Sequence, residues 1–161
     1  MRQITKTQIL IGVLVLLLGS FIYLIDRPPE QTYFVHSSPV NISLFNTLPN
    51  VFGFIGGSLP ECVHVFSFIL ITAGLLSCNK RGYLIICLSW FVIDAAFEIG
   101  QRFPARALKI IPDWFTGIPF LENTESYFLH GTFDFIDLAA IAFGAVIAYV
   151  VVIATNKGRV P

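Results

Sequence analysis

Three long runs of the chain carry no charged side chain, and a fourth apolar run is interrupted by two acids. The uncharged runs cover residues 7–25, 62–79 and 138–156, and the fourth covers about residues 83–100. A helix rises about 1.5 Å per residue and the hydrocarbon core of a bilayer is about 30 Å thick, so each run can cross it. The pattern predicts an all-α membrane protein, one domain over residues 1–161, with transmembrane helices at about 7–25, 60–78, 83–100 and 135–155.

The composition supports a membrane protein and excludes several soluble classes. Hydrophobic residues make up 55% of the 161 residues and charged residues only 12%, whereas a soluble domain has about 25% charged residues. Ten acids balance ten bases, so no basic field is available for a nucleic-acid partner. The three cysteines fit neither a paired disulfide framework nor a CxxC metal motif.

The distribution of basic residues predicts the orientation in the membrane. With four spans, both termini and the turn at residues 78–82 lie on one side. That side carries six bases and no acid, namely Arg2, Lys6, Lys80, Arg81, Lys157 and Arg159, whereas all ten acids and four bases lie on the other. Basic residues are retained in the cytoplasm, so both termini are predicted to be cytoplasmic. The expected location is the inner or plasma membrane of the cell, as a multi-pass protein.

The two extracytoplasmic connections, residues 26–60 and 101–132, are long and contain apolar and aromatic stretches at 40–49, 51–57 and 110–121. Loops of this length usually have a function. Apolar residues at interface depth favour segments that lie on the outer leaflet or form a lid. The alternative is that they only cover the end of the bundle.

Polar side chains near the same ends of three predicted helices form the candidate site. They are Glu61, His64, Asp94, Glu98, Gln101, Asp134 and Asp137. Carrying an acid to the bilayer centre costs about 2.5–3.5 kcal/mol, so such residues face the bundle interior and indicate a functional site. We expect Glu98 and Gln101 to meet Asp137 in one cluster that also includes His64. Arg102 or Arg106 is expected to neutralise part of it.

Two structural explanations of the same residues stay open. Asp134 and Asp137 could cap the fourth helix, because acids stabilise a helix N-terminus. Capping does not explain Asp94 and Glu98, which lie towards the C-terminal end of their own helix. Alternatively, the whole cluster could lock three helices together, although interhelical hydrogen bonds in membranes average only about 0.6 kcal/mol.

Three short segments resemble one family of membrane proteins. Residues 98–106, Glu-Ile-Gly-Gln-Arg-Phe-Pro-Ala-Arg, are similar to the E-x-x-Q-x-F…R signature of VanZ-like proteins. Residues 131–145 resemble the acidic start of that family's last helix, and residues 59–68 resemble its second-helix segment, where a histidine precedes an aromatic residue. The resemblance covers about residues 59–150. It implies a small envelope protein, because the family's namesake is associated with glycopeptide (teicoplanin) antibiotic resistance.

Two functional classes follow from the cluster and the resemblance. One is a non-enzymatic factor that binds a membrane lipid, a lipid-linked precursor or another membrane protein. In that case Arg102 and Arg106 would bind an anionic headgroup, because guanidinium pairs bidentately with phosphate. The other is a membrane-embedded enzyme acting on such a lipid, with Glu98 and Asp137 as acid and base or as metal ligands. The sequence does not decide between them and identifies no catalytic residue.

No cofactor is predicted. A haem between helices needs two histidines at membrane depth, and only His64 qualifies, because His36 and His130 fall in the connections. Glu61, His64, Glu98 and Asp137 are a chemically reasonable ligand set for a divalent metal, but no tight spacing supports one. Serine hydrolysis lacks a G-x-S-x-G motif.

Overall fold

Four long helices make up most of the molecule. The computed structural model describes residues 4–26, 44–45, 52–119 and 121–156, and this part of the chain is helical with no strand. The helices are α1 (Lys6–Asp26), α2 (Gly53–Leu76), α3 (Lys80–Arg102), α4 (Pro104–Ala107), α5 (Thr124–His130) and α6 (Phe135–Asn156), with 3-10 turns at Asp113–Gly117 and Leu121–Asn123. Helices α1, α2, α3 and α6 are long and apolar enough to cross a membrane. The prediction of an all-α chain with four helices able to span a membrane is confirmed for the described residues.

Two helix boundaries differ from the sequence prediction. Helix α2 was expected to begin near residue 60 but begins at Gly53 and runs through Pro60. Pro60 lies in the third turn, where a proline removes one backbone hydrogen bond and its ring crowds the carbonyl four residues earlier, yet the helix continues through it. Helix α3 begins at Lys80 because the Asn79 side chain accepts a hydrogen bond from the Gly82 amide at 2.9 Å. The basic turn therefore belongs to the first turn of α3.

Helix α2 is the centre of the bundle. It packs along α1 on one side and along α6 on the other, and α6 in turn packs against α3. The buried core lies between α2, α3 and α6: Val65, Ile69, Leu70, Ala73, Tyr83, Ile86, Cys87, Ile141, Ala145, Ala148 and Val152. Large apolar side chains on the outside, such as Leu14, Val92 and Val146, are exposed. A bilayer would cover these outward faces.

Small residues allow α1 and α2 to approach closely. A Cβ at Gly12 would lie 2.8 Å from Ile71 Cγ1 and 2.9 Å from the Ser67 carbonyl oxygen, so no larger residue fits there. Gly19 lies against Val63 in the same way, seven residues further along α1. Since lipid tails are as apolar as leucine, helices in a membrane associate largely through such close packing.

The two ends of the bundle differ in their polar residues. We call the end with Lys6, Lys80 and Asn156 the basic end, and the end where α3 stops and α6 begins the acidic end. At the basic end the buried Gln8 donates from Nε2 to Thr155 Oγ1 at 2.9 Å and to the Val152 carbonyl at 3.3 Å. This contact ties α1 to α6 across the bundle.

The second connection folds onto the acidic end. Phe128 of α5 is buried and stacks on Phe97 of α3, with 5.5 Å between ring centroids. The first connection lies largely outside the described residues, including the predicted interfacial stretch at 40–49 apart from Leu44 and Phe45. The Leu44 amide donates to the Leu24 carbonyl at 3.0 Å, which holds this point of the connection against α1.

Candidate functional site

The carboxylate of Glu98 binds the start of α6. Glu98 is 2% exposed, and its Oε1 accepts the backbone N–H of Asp134 at 2.8 Å. Asp134 in turn accepts the backbone N–H of Ile136 on Oδ1, also at 2.8 Å. The unpaired amides at a helix N-terminus carry partial positive charge and attract anions. Capping therefore accounts for Asp134 and also for Glu98, which caps α6 from the neighbouring helix.

Further carboxyl groups surround Glu98. Those of Asp137, Glu61 and Asp134 lie close enough to interact with it electrostatically. Glu61 comes from α2, Glu98 from α3 and Asp137 from α6. The structure thus brings acids from three helices close enough to interact at the acidic end.

His64 and Asp94 form a second polar contact, deeper in the bundle, between α2 and α3. His64 Nδ1 lies 3.1 Å from Asp94 Oδ2, and the two side chains are 46% and 11% exposed. The His64 ring packs on Phe68 with 4.5 Å between centroids, and Phe68 packs on Trp90 at 4.7 Å. Glu61 also acts electrostatically on His64. His64 is thus linked to the acids around Glu98 through Glu61.

The two arginines do not neutralise the cluster as expected. The Arg102 guanidinium carbon lies 5.3 Å from the centre of the Phe133 ring, and that of Arg106 lies 5.7 Å from the Phe103 ring. Both side chains are exposed, and among the described residues neither pairs with an acid. The reason is that the N-terminus of α6 already stabilises Glu98, and α3 ends at Arg102, which directs both arginines away from the bundle interior.

Gln101 and Asp26 also lie at the acidic end. The Gln101 side chain packs against the segment before α6, where a Cβ at Gly131 would lie 2.8 Å from its Oε1. Asp26 was not assigned to the candidate site, yet its carboxylate lies against Gly56 at the acidic end. The sequence could have predicted this position, because Asp26 directly follows the first uncharged run. Antiparallel packing of α1 and α2 then places the end of α1 beside the start of α2.

Exposed apolar residues lie along the chain next to the arginines. Phe103, Ile110 and Trp114 are 46%, 78% and 60% exposed, and Trp114 packs edge-on against Phe115 at 4.6 Å. Trp is enriched where one side of a ring meets lipid and the other meets water. The segment from Arg102 to Trp114 therefore combines cations with apolar side chains, as an interfacial segment does.

The geometry gives no support to a metal centre. Among the residues that the structure describes, no three His, Cys, Asp or Glu side chains are grouped so that they could hold a metal ion. Of the ligand set considered from the sequence, Glu61 and Asp137 lie near Glu98, whereas His64 is hydrogen-bonded to Asp94.

Comparison of the chain with protein-family models, with curated proteins and with solved structures finds no match. The resemblance to VanZ-like proteins therefore stays a prediction that rests on three short segments. What the structure itself establishes is a bundle of four helices able to span a membrane, with carboxyl groups of α2, α3 and α6 gathered at one end.

Proposed function

We propose that this chain is a small, VanZ-like envelope membrane protein that binds an anionic amphiphile at its acidic end without catalysing a reaction. The amphiphile is a membrane lipid or a lipid-linked precursor. The observation that carries the proposal is the state of Arg102 and Arg106, which are exposed, stacked on aromatic rings and, among the described residues, paired with no acid. Two such arginines beside an apolar segment suit a phosphate headgroup with an apolar tail.

The stacked arrangement leaves the arginines able to bind an anion. A guanidinium that lies over an aromatic face keeps its N–H groups at the edge of the plane, where they donate to phosphate oxygens in pairs. The rings of Phe133 and Phe103 also hold the arginines in place, which lowers the entropy lost on binding. Trp114 and Ile110 offer apolar contact for the tail of the amphiphile.

The acids support this site by positioning it. Glu98 holds the end of α3 to the start of α6 through the Asp134 amide, and Arg102 follows Glu98 by one turn on the same helix. Phe133, on which Arg102 stacks, directly precedes Asp134. The polar cluster thus determines where the headgroup-binding arginines lie.

The side of the membrane follows from the charge distribution. Lys6, Lys80 and Arg81 lie at the basic end, and the remaining bases near the termini adjoin it in the sequence, which favours the cytoplasm. The acidic end would then face outward, where cell-wall precursors and external antibiotics are encountered. This orientation agrees with what the VanZ-like resemblance implies for an envelope protein of the inner or plasma membrane.

The second candidate function is a membrane-embedded enzyme that uses Glu98 and Asp137 as acid and base. The burial of Glu98 among other carboxyl groups favours it, because such surroundings are typical of catalytic acids. The hydrogen bond from the Asp134 amide weakens it, because one oxygen of Glu98 is already used to cap α6.

Substitution of one arginine tests the binding function. The Arg106→Ala variant is expected to keep its abundance in the membrane and to retain about tenfold less phosphatidylglycerol after purification, measured by native mass spectrometry, because a charge-assisted hydrogen bond is lost. Arg81→Ala, which removes an exposed arginine at the basic end, is the matched control and should retain the lipid. Loss of Arg106→Ala protein from the membrane, without a change in lipid retained per molecule, would leave only a structural role for this arginine.

A further inference from the structure

The segment that leads from α5 into α6 wraps around the last two turns of α3. We call residues 128–134 the strap. At its first residue, the buried Phe128 ring stacks on Phe97 with 5.5 Å between centroids. The same ring fills the space beside Gly100, where an added Cβ would overlap it. The start of the strap is therefore packed closely onto α3.

The other end of the strap contacts two charged residues of α3. The backbone N–H of Asp134 donates to Glu98 Oε1 at 2.8 Å. The ring of Phe133, one residue earlier, lies 5.3 Å from the guanidinium carbon of Arg102. Because Phe133 and Asp134 are consecutive, a movement of this end of the strap away from α3 removes both contacts together.

Glu98 and Arg102 have the spacing of an intrahelical ion pair. An acid four residues before a base lies beside it on the helix surface, and this order is the favourable one. Long side chains in a helix also lean towards its N-terminus, which directs Arg102 back over the turn that carries Glu98. The local sequence of α3 therefore favours a Glu98–Arg102 pair.

The structure does not contain this pair. Within the described part of the chain the one ion pair joins His64 to Asp94. Glu98 is 2% exposed, whereas Arg102 is exposed. The strap supplies each charge with a replacement partner, because the carboxylate accepts a backbone amide and the guanidinium lies over a ring face, which attracts cations.

We propose that the strap regulates the arginine site by holding Glu98 and Arg102 apart. With the strap on α3, Arg102 is available to a phosphate headgroup. When the strap leaves α3, Arg102 pairs with Glu98 and is withdrawn from the ligand. This inference rests on the headgroup binding proposed above, and Phe133 is its positioning residue. By linkage, an anion bound to Arg102 stabilises the docked strap by the same factor by which docking raises its affinity.

Replacement of the Phe133 ring tests the competition between the strap and Glu98. Phe133→Leu keeps apolar bulk but removes the ring face, so the purified full chain should retain about threefold less phosphatidylglycerol in native mass spectrometry. Glu98→Gln in the same background keeps an acceptor for the Asp134 amide but no charge to pair with Arg102, and should restore retention. The matched control Phe143→Leu, at an exposed aromatic of α6, should retain the lipid as the wild type does.

A double-variant cycle separates this competition from a general effect of charge. Glu98→Gln alone measures what the loss of a negative charge does to retention. In the Phe133→Leu background the gain from Glu98→Gln should be larger than that by about twofold, the strength of an i, i+4 pair. Asp137→Asn removes a nearby acid of α6 and should show no such extra gain. Equal gains from Glu98→Gln in the two backgrounds overturn the proposal.

Hydrogen–deuterium exchange of the strap tests the linkage on the wild-type chain, so this measurement does not depend on how a variant folds. Saturating phosphatidylglycerol should slow exchange of the amides in residues 128–134 about threefold. Arg102→Ala, with lipid still held by Arg106, should show no slowing. Lipid retention with unchanged exchange in the wild type overturns regulation by the strap, whereas retention that does not depend on Arg106 contradicts the headgroup function itself.

Discussion

Glu98 and Asp134, 36 residues apart in the chain, are joined by a hydrogen bond from the backbone N–H of Asp134 to Oε1 of Glu98 at 2.8 Å. The contact satisfies two polar groups. It stabilises a carboxylate that is 2% exposed in an apolar bundle, and it satisfies a free amide at the start of α6. Because it links the last turns of α3 to α6, it also positions the arginines that follow α3.

Substitution of Glu98 should show that its role at this contact is to accept a hydrogen bond. Glu98→Ala is expected to lower the free energy of unfolding by about 1–3 kcal/mol, because a partly buried amide loses its acceptor. Glu98→Gln keeps an oxygen at the same place and should cost less than the alanine variant. Thermal unfolding in detergent micelles measures both. Equal losses for the two variants would mean that the charge, rather than the acceptor, is required.

Enlarging Gly12 should separate α1 from α2. A Cβ there would lie 2.9 Å from the Ser67 carbonyl oxygen, which is backbone and cannot move aside easily. Gly12→Val is therefore expected to cost about 1–3 kcal/mol of stability, as overpacking does. The matched control is Gly57→Ala in α2, where a Cβ would meet nothing within 4 Å. That control should be neutral or stabilising by up to about 1 kcal/mol, since alanine favours helix.

Trp114 should lie at the membrane interface. The chain has two tryptophans, so the Trp90→Phe variant leaves Trp114 as the only one. In vesicles, lipids brominated near the headgroup should quench its fluorescence more than lipids brominated near the chain ends. Trp114→Phe, which leaves only Trp90 in the middle of α3, should show the opposite order. If neither brominated lipid quenches the fluorescence of Trp114, this segment lies in water.

Loss of the Trp90 indole has a second expected effect. Its Nε1 donates to Thr72 Oγ1 at 3.0 Å between α3 and α2, so Trp90→Phe should cost about 0.6 kcal/mol in unfolding free energy from the hydrogen bond, with a further loss from packing. Thr72→Val tests the same bond from the other side. Additive losses in the double variant, measured by thermal unfolding, would show that the two groups do not interact.

The orientation in the membrane can be read from reporter fusions. Fusions at Lys80 and at Lys157 should both report the cytoplasm, and a fusion at Lys109 should report the outside, because the basic end carries the cytoplasmic bases. An external signal at Lys80 or Lys157 would reverse the orientation on which the proposed function depends.

The number and placement of the spanning helices could be predicted from local features of the chain. Length and lack of charge are properties of a contiguous segment, and a bilayer requires both, since every backbone group within it must be bonded inside its own helix. Acids that interrupt or border an uncharged run are also a local feature, so the sequence alone indicated that the polar residues lie at one end of the bundle. The i, i+4 spacing of Asp94 and Glu98 and the positions of Asp134 and Asp137 at the start of the last run already placed them at similar depth.

The partner of each polar group depended on how the helices pack and rotate against one another. Arg102 or Arg106 was expected to neutralise part of the cluster, but packing of α3 against α6 supplies a backbone amide to Glu98 instead. His64 could not be assigned to Asp94 rather than Glu98 from spacing, because the two acids lie on one face of α3. Helices that approach closely at a glycine are formed by residues far apart in the sequence. The same is true of the pairs of helices that pack together. No local pattern of residues therefore predicts these contacts.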